Sequence, residues 1–308
     1  MLSKKVKIYV AGHNGMVGSS IIQSLKDKNF EKIITISKKK LNLLDQNKTF
    51  KFLKKVKPDI VIIAAAKVGG ILNNNLNRAQ FIYENTSIQN NLIHGSYLAK
   101  VKKLIFLGSS CIYPKFCKQP MKEEYLLSGK LEPTNEPYAI AKIHGIKMCE
   151  SYNKQYKTNF FSIMPSSLYG PNDNYDLKNS HVIPALLKKM YDAKIKNKKK
   201  VIVWGTGKPK REFLHTRDLA DFIVKLIQKN PKKRVLNVGY GKDISIKKLS
   251  YMIKSIVEYK GKIIFDKKKP DGVMRKLLDS KYAKSVGFKV KIDLKKGLTE
   301  TFRQKFSI

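Results

Sequence analysis

The amino-acid sequence predicts an α/β protein with a doubly wound parallel sheet and a smaller C-terminal α/β lobe. Short apolar runs rich in β-branched residues alternate with helix-length segments through the first half of the chain. A glycine-rich loop separates the first run from the first helical segment. Because strands that alternate with helices pair in parallel, these two observations are enough to predict the fold class.

Length and composition indicate a large globular protein. The chain has 308 residues, of which 42% are hydrophobic, so it can form one two-lobed unit or two domains. Every apolar run is shorter than the roughly 20 residues of a membrane span, and Met1–Lys5 lead directly into a strand, which leaves no room for a signal peptide. Cys111, Cys117 and Cys149 lack metal-ligand spacing, so we expect free thiols, no metal site and a cytoplasmic location.

The formal net charge of +40 allows two interpretations. A basic surface can bind nucleic acid or an anionic membrane. The lysines, however, are spread along the whole chain, with short runs such as Lys38–Lys40 and Lys196–Lys200. They are not interleaved with aromatic residues and form no nucleic-acid-binding module. We therefore expect a compositional bias and neither a nucleic-acid nor a membrane partner, although such a field also attracts a phosphate-rich small substrate.

The first strand, Val6–Ala11, leads into a GxxGxxG loop and then the helical segment Ser19–Lys28. Glycines permit a tight turn and let the backbone approach a pyrophosphate at the helix N-terminus. A glycine-rich turn without a ligand is the alternative, but the position after the first strand favours a dinucleotide site. Its predicted residues are Gly12, His13, Asn14, Gly15, Met16, Val17 and Gly18.

The second strand, Lys32–Ser37, bears on the choice of cofactor. An NAD site usually has an acidic residue at the end of this strand, whereas this strand is followed by Lys38–Lys40. A basic residue suits a 2′-phosphate, so we expect NADP(H), with Lys38 as its partner. Lys38 could equally be part of the general lysine excess, and Asp45 could either lie near the adenine or cap the next helix.

The third and fourth strands are predicted at Pro58–Ala66 and Lys103–Leu107, with a long helix at about Leu76–Ala99 between them. Ligands of such sheets lie beyond the C-terminal ends of the strands. The segment after the fourth strand therefore belongs to the expected site, and it contains Gly108, Ser109 and Ser110.

Tyr138 and Lys142 lie four residues apart in a helical segment that runs to about Tyr156, so both project from one face. An ammonium near a phenol favours the phenolate, which predicts a lowered pKa for Tyr138 and a role in proton transfer. Either residue alone fits an ordinary helix surface. Together with Ser109 or Ser110, they predict a reductase site at the nicotinamide.

A fifth strand, Phe160–Met164, ends the regular alternation, and shorter elements follow. We predict helices at His181–Tyr191, Arg217–Gln228 and Ser245–Val257, and strands at Lys200–Trp204, Val235–Gly239 and Lys262–Phe265. The pattern places residues 1–170 in a cofactor-binding domain with a returning segment near 214–240. Residues 171–213 and 241–308 then form the substrate-binding lobe.

Seven segments carry a resemblance over nearly the whole chain. They are GHNGMVG at 12–18, AAAKVGGI at 64–71, LGSSCIYP at 107–114, EPTNEPYAIAKIHGIK at 132–147, NSHVIPALL at 179–187, VWGTGKPKREFLH at 203–215 and KPDGVMRKLLD at 269–279. These segments resemble the extended short-chain dehydrogenase/reductases, and among them the branch that epimerises and then reduces GDP-linked 4-keto-6-deoxy sugars. The resemblance implies a Rossmann-type NADP-binding fold, a GDP-sugar substrate and a homodimer paired through the two long helices.

The same resemblance assigns roles to individual residues. It implies that Ser109, rather than Ser110, is the catalytic hydroxyl beside Tyr138 and Lys142, and that Cys111 and His181 are the base and acid of epimerisation. The implied cofactor contacts also include Leu107, Gly108, Ser109, Ser110, Tyr138, Lys142, Pro165, Ser166, Ser167, Leu168 and His181. The implied contacts to the nucleotide sugar are Lys189, Trp204, Arg211 and Asp271.

Two residues depart from the family pattern. Asn14 stands where the family often has an arginine that contacts the 2′-phosphate, which leaves Lys38 as the main candidate. Ser167 replaces the asparagine of the family's PTNLYG segment, which changes the hydrogen bonding there. The rival interpretations are a nucleotide-sugar 4-epimerase or 4,6-dehydratase of the same family, which needs no Cys111/His181 pair, and a non-catalytic polyanion-binding protein.

Overall fold

A computed structural model describes residues 3–177, 179–269 and 271–307 of the chain, apart from the side chain of Ile71. Met1, Leu2 and Pro270, which belong to segments interpreted above, lie outside the described residues. None of the helices within these ranges is both long and apolar enough to cross a membrane.

The described residues form strands and helices in alternation through the first half of the chain. The strands are β1 Lys7–Ala11, β2 Lys32–Ile34, β3 Ile60–Ile63, β4 Lys103–Leu107, β5 Phe160–Pro165, β6 Ser167–Tyr169, β7 Lys200–Trp204, β8 Lys210–His215, β9 Val235–Val238, β10 Asp243–Ser245, β11 Lys262–Asp266 and β12 Arg275–Lys276. The helices are α1 Met16–Asp27, α2 Gln46–Val56, α3 Ile71–Leu76, α4 Arg78–Leu98, α5 Glu136–Tyr156, α6 Val182–Ile195, α7 Thr216–Ile227, α8 Ile246–Val257, α9 Lys281–Ser285 and α10 Leu294–Phe306.

Six strands form one parallel sheet in the order β2-β1-β3-β4-β5-β9. Strands β3, β4 and β5 are buried throughout, because helices cover both faces of the sheet. The chain reverses its direction of progress between β1 and β3, and such a switch point opens a crevice for a ligand. The predicted doubly wound parallel sheet is confirmed.

The remaining strands form two small sheets beside the large one. Strand β8 pairs with β6, β10 and β12, while β7 and β11 form a parallel pair. Their core includes Leu187, Phe213, Leu249 and Phe302, which are separate from the core of the six-stranded sheet. Strand β9 returns to the large sheet beside β5, within the predicted returning segment. The domain boundaries themselves stay a prediction.

Several elements of the structure differ from the predictions. The second strand ends at Ile34 instead of Ser37, because the carbonyl of Ser37 accepts the N–H groups of Lys40 and Leu41 and forms a turn. The long fourth helix begins at Arg78 and is preceded by the short helix α3. Strand β6 was not predicted, since its three residues pair only with the distant strand β8.

Candidate active site

The glycine loop after β1 is packed too closely for side chains at two positions. Gly12 has φ +85°, and a Cβ there would lie 2.7 Å from the backbone nitrogen of Ala65. A Cβ on Gly18 would collide with the Gly12 carbonyl oxygen. Gly15 is the N-cap of α1 and offers no side-chain cap, so backbone N–H groups at this helix start remain available to an anion. The loop therefore has the shape that a dinucleotide pyrophosphate requires.

The two residues that bear on the 2′-phosphate are both accessible. Asn14 lies exposed in the glycine loop, and Lys38 lies exposed in the turn that follows β2. Strands β1 and β2 are parallel neighbours, so the segments that follow them leave the same edge of the sheet. The assignment of Lys38 to a phosphate stays a prediction.

The segment after β4 places a hydroxyl and a thiol side by side. Gly108 donates its N–H to the Ile163 carbonyl at 2.8 Å, which extends the β4–β5 pairing by one residue. Ser109 then caps a short 3-10 helix, and its Oγ accepts the N–H of Cys111 at 3.3 Å. Ser109 is partly buried, whereas Ser110 and Cys111 are buried. The structure therefore leaves Ser109 as the more accessible of the two hydroxyls.

The Cys111 thiol is influenced by opposing effects. Burial is the largest effect and raises its pKa, while the Lys276 and Lys142 ammonium groups and the Ser109 hydroxyl act in the opposite direction. The thiolate form of Cys111 therefore has two cations nearby that oppose the effect of burial.

Helix α5 presents Tyr138 and Lys142 to the same place, as the four-residue spacing predicts. Lys142 is 2% exposed, and its Nζ donates a hydrogen bond to the Leu107 carbonyl at 2.7 Å. That Nζ lies 4.8 Å from the centre of the Phe106 ring and 5.7 Å from that of Tyr138. Burial lowers the pKa of Lys142 to about 8.

The predicted lowering of the Tyr138 pKa is wrong for this structure. Burial is the largest effect and raises that pKa, and the negative charge of a Cys111 thiolate would raise it further. The Lys142 ammonium does not counter this, since it is hydrogen-bonded to the Leu107 carbonyl and lies beside the ring rather than against the phenolic oxygen. Tyr138 is therefore a neutral phenol, which is the form that donates a proton.

The segment that precedes His181 contacts the loop after β3. The N–H of Gly70 donates to the Asn179 carbonyl at 3.0 Å, and a Cβ on Gly70 would lie 2.7 Å from the Ser180 carbonyl oxygen. His181 follows as the N-cap of α6. The residue is accessible to solvent, yet the protein around the ring withdraws enough water to lower its pKa. The positive end of α6 also disfavours the imidazolium.

Of the four predicted nucleotide-sugar residues, Arg211 lies in β8, and the other three lie around the small β7–β11 sheet. Trp204 ends β7 and is 54% exposed, and the Lys189 Nζ lies 5.8 Å from the centre of its ring. Asp271 accepts the N–H of Thr206 at 2.9 Å and the Thr206 hydroxyl at 2.6 Å. In the structure Asp271 therefore stabilises a turn, while Trp204 and Lys189 remain available to a ligand.

Sequence reasoning missed one charged residue of the site. Strand β12 pairs in parallel with β8, so Lys276 lies beside Arg211. Burial lowers the pKa of Lys276, and the charge of a Cys111 thiolate raises it. Burial also lowers the pKa of Arg211, and the carboxylates of Asp271 and Glu132 raise it. The only signal for Lys276 was its place in the segment 269–279.

The segment after β5 contains a buried hydroxyl without a partner. Ser166 donates its N–H to the Val238 carbonyl at 3.0 Å, but its Oγ has no hydrogen-bond partner among the described residues. Ser167 and Leu168 are partly buried in β6, where Ser167 pairs with Phe213. Other buried side-chain atoms among the described residues, such as Thr49 Oγ1, also have no partner, so this hydroxyl is open to a ligand or water without singling one out.

Residues 8–239 match the model of the NAD dependent epimerase/dehydratase family, which is most of the chain. The chain belongs to this epimerase/dehydratase family. GDP-L-fucose synthase from Sinorhizobium fredii is 50% identical over 296 residues, covering 96% of this chain and 94% of that protein. GDP-L-fucose synthase from Escherichia coli is 47% identical over 308 residues, covering 97% of this chain and 96% of that protein.

A solved structure has the same architecture. The GDP-mannoheptose C4 reductase from Campylobacter jejuni, with NADP bound, aligns with a TM-score of 0.92 at 39% identity and covers 99% of this chain and 100% of that one. The resemblance inferred from the sequence segments is confirmed. Within the epimerase/dehydratase family, the tightly packed glycine loop and the unpartnered Ser166 hydroxyl of this chain both fit a bound dinucleotide.

Proposed function

We propose that the protein is a GDP-L-fucose synthase. It epimerises GDP-4-keto-6-deoxy-D-mannose at C3 and C5 and then reduces the C4 carbonyl with NADPH. The observation that carries the proposal is the arrangement around the end of β4. There Ser109, Cys111 and the Tyr138–Lys142 pair are gathered, and the sequence of the whole chain is about half identical to that of proteins with this name.

NADPH supplies the hydride when it is bound. Backbone N–H groups at the start of α1 would hold its pyrophosphate. The loop can pack this closely because Gly12 and Gly18 have no side chains, for which there is no space. Lys38 would contact the 2′-phosphate, and Lys142 would contact the nicotinamide ribose. The buried Ser166 hydroxyl obtains a hydrogen-bond partner on the cofactor side of β5.

Epimerisation requires a base and an acid on opposite faces of the sugar. The C4 carbonyl acidifies the neighbouring C3–H and C5–H bonds. Cys111 Sγ removes a proton from one face, the electron pair moves into the carbonyl, and the Ser109 hydroxyl donates a hydrogen bond to the oxygen that becomes negative. His181 in its protonated form returns a proton to the opposite face and becomes the neutral imidazole that its surroundings favour. Lys276 stabilises the thiolate that the first step needs.

Reduction follows at the same carbonyl. Tyr138 gives its phenolic proton to the C4 oxygen, while Ser109 keeps that oxygen in position; the bound cofactor would supply the hydride to C4. The high pKa of Tyr138 ensures that the proton is present before the reaction. Lys142, held by the Leu107 carbonyl, would contribute by holding the nicotinamide ribose rather than by stabilising the phenolate.

The smaller lobe binds the GDP part of the substrate. Lys189 in α6 and Arg211 in β8 contact the diphosphate, because both are cations. Trp204 stacks on guanine, and its exposure leaves the ring accessible. Asp271, whose carboxylate is oriented by Thr206, accepts a hydrogen bond from a sugar or ribose hydroxyl. Residues 171–213 and 241–308 form this lobe, and residues 1–170 with the segment near 214–240 bind the cofactor.

The protein further forms a cytoplasmic homodimer. Helices α4 and α5 pack against each other and leave apolar side chains on the surface, which a partner subunit would cover. These exposed side chains are Tyr83, Leu98, Ile140 and Tyr156.

A turnover measurement tests the proposed reaction. Purified protein is given GDP-4-keto-6-deoxy-D-mannose and NADPH, and nicotinamide absorbance is followed with product analysis. We expect NADPH oxidation in proportion to the GDP-L-fucose formed, and its near-complete loss in Tyr138→Phe. A 4-epimerase or 4,6-dehydratase regenerates its cofactor, so product formation without net NADPH oxidation would favour those reactions instead.

A further inference from the structure

Two lysine ammonium groups lie over the Trp204 ring, and only Lys189 was assigned above. Lys269 lies in the turn after β11, and its Nζ is 5.4 Å from the centre of the Trp204 ring. The corresponding distance for Lys189 is 5.8 Å. Both ammonium groups are therefore within reach of a planar group that stacks on this ring.

The turn that carries Lys269 is fixed against the end of β7. Trp204 pairs with Asp266 in the register of the two strands, and the Asp266 carbonyl accepts the N–H groups of Gly205 at 2.9 Å and Lys269 at 3.2 Å. The Asp266 carboxylate accepts the N–H of Lys268 at 3.0 Å. Lys269 thus starts from a defined backbone position next to the ring.

The two lysines approach the ring from different elements. Lys189 belongs to α6, the helix that begins at His181, and its Nζ lies 3.4 Å from the Ile202 carbonyl further back in β7. Because α6 begins at His181, one of the proposed catalytic residues, Lys189 suits a contact with the diphosphate. Lys269 belongs to the β11–β12 connection instead. The carboxylate of Asp271, the nearby acid of this connection, already accepts the Thr206 hydroxyl. Lys269 is the lysine of this turn whose Nζ lies over the Trp204 ring.

We propose that Lys269 is a specificity-determining residue that donates a hydrogen bond to the O6/N7 edge of a guanine stacked on Trp204. The inference rests on the proposed GDP-sugar substrate. Guanine presents two acceptors, O6 and N7, on one edge, whereas adenine replaces the O6 acceptor with an amino donor. A lysine ammonium has donors only, so it favours guanine and is mismatched with adenine.

The test compares nucleotide binding by variants of one turn. GDP, IDP and ADP are titrated calorimetrically into the full-length, NADP-loaded protein and into Lys269→Met. Lys267→Met and Lys268→Met are the matched controls, because all three lysines are exposed neighbours and each substitution removes one positive charge. IDP keeps O6 and N7 but lacks the guanine amino group, so it isolates the proposed contact.

We expect Lys269→Met to weaken GDP and IDP by about tenfold and to leave ADP within about twofold. Both control variants should bind all three nucleotides nearly as the parent does. Equal weakening of GDP and ADP would mean a phosphate contact and would overturn the base-reading role. An effect no larger than that of Lys268→Met, or a parent protein that binds GDP no better than ADP, would also overturn it.

The outcome is separable from the test of the reaction. A protein that shows the Lys269-dependent guanine preference but does not oxidise NADPH with the keto sugar would retain this inference and lose the proposed reaction. A protein that turns over normally, with unchanged nucleotide preference in Lys269→Met, would lose this inference alone.

Discussion

Replacing Glu212 by glutamine should change how the stability of the protein depends on pH. Glu212 lies in β8, is 1% exposed, and accepts backbone N–H groups from Gly241 and Leu278, the latter at 3.0 Å. It therefore joins β8 to the segments that follow β9 and β12. Burial raises the pKa of its carboxyl from 4.5 to about 7, against the opposing effects of these two hydrogen bonds and of Lys284, while Asp243 raises it slightly more.

The size of the effect follows from this pKa. A carboxyl whose pKa is higher in the folded than in the unfolded protein contributes stability that is fully present below its unfolded pKa and is lost as the pH rises through its folded pKa. A shift from 4.5 to about 7 corresponds to about 3 kcal/mol of unfolding free energy. Glutamine does not titrate, so Glu212→Gln lacks this loss and should differ from the parent by a pH-dependent amount.

Denaturant unfolding at a series of pH values from about 5 to about 8 measures this difference. We expect the parent to lose up to about 3 kcal/mol relative to Glu212→Gln across that range. A constant offset is expected as well, because the new amide nitrogen cannot accept one of the two N–H groups. Glu124→Gln, at a side chain that is 70% exposed, is the control and should show no such trend. Parallel stability curves for the parent and Glu212→Gln would refute the reasoning.

Three further substitutions test the site. Cys111→Ser should slow solvent-hydrogen exchange at C3 and C5 by at least about a hundredfold while some C4 reduction continues, and an unchanged exchange rate would reject Cys111 as the base. Lys38→Met should reduce the preference for NADPH over NADH about tenfold in kcat/KM, and a parent enzyme that prefers NADH would contradict the phosphate contact. Gly12→Ala should abolish NADPH binding or folding, whereas Gly15→Ala, where a Cβ meets only ordinary contact, should retain both. Fluorescence titration measures the binding, and circular dichroism measures the folding. Equal behaviour of the two variants would contradict the role given to the close packing of the glycine loop.

The fold was largely predictable because its signals are local. Lys103–Leu107 was predicted with the bounds that the structure shows, since it is a short buried apolar run. The YxxxK helix and the glycine loop likewise follow from spacing within single elements. The second strand was predicted too long, because a turn closed by the Ser37 carbonyl depends on backbone geometry that the lysines there do not reveal.

The electrostatics of the site were less predictable, because they depend on contacts between distant segments. Lys276 reaches the Cys111 region only through the pairing of β12 with β8. The predicted pKa of Tyr138 was wrong because the four-residue spacing says nothing of burial, nor of the Leu107 carbonyl that holds Lys142. The role of Glu212 also depends on two backbone segments that are remote in sequence.

The order of epimerisation and reduction is the central claim, and one product analysis tests it most directly. The enzyme is supplied with GDP-4-keto-6-deoxy-D-mannose and NADPH in deuterated water, and the product is examined by NMR together with the NADPH oxidised. We expect GDP-L-fucose with deuterium at both C3 and C5 and one NADPH oxidised per molecule formed. A GDP-6-deoxyhexose that keeps its original hydrogens at C3 and C5, or a product formed without matching NADPH oxidation, would contradict it.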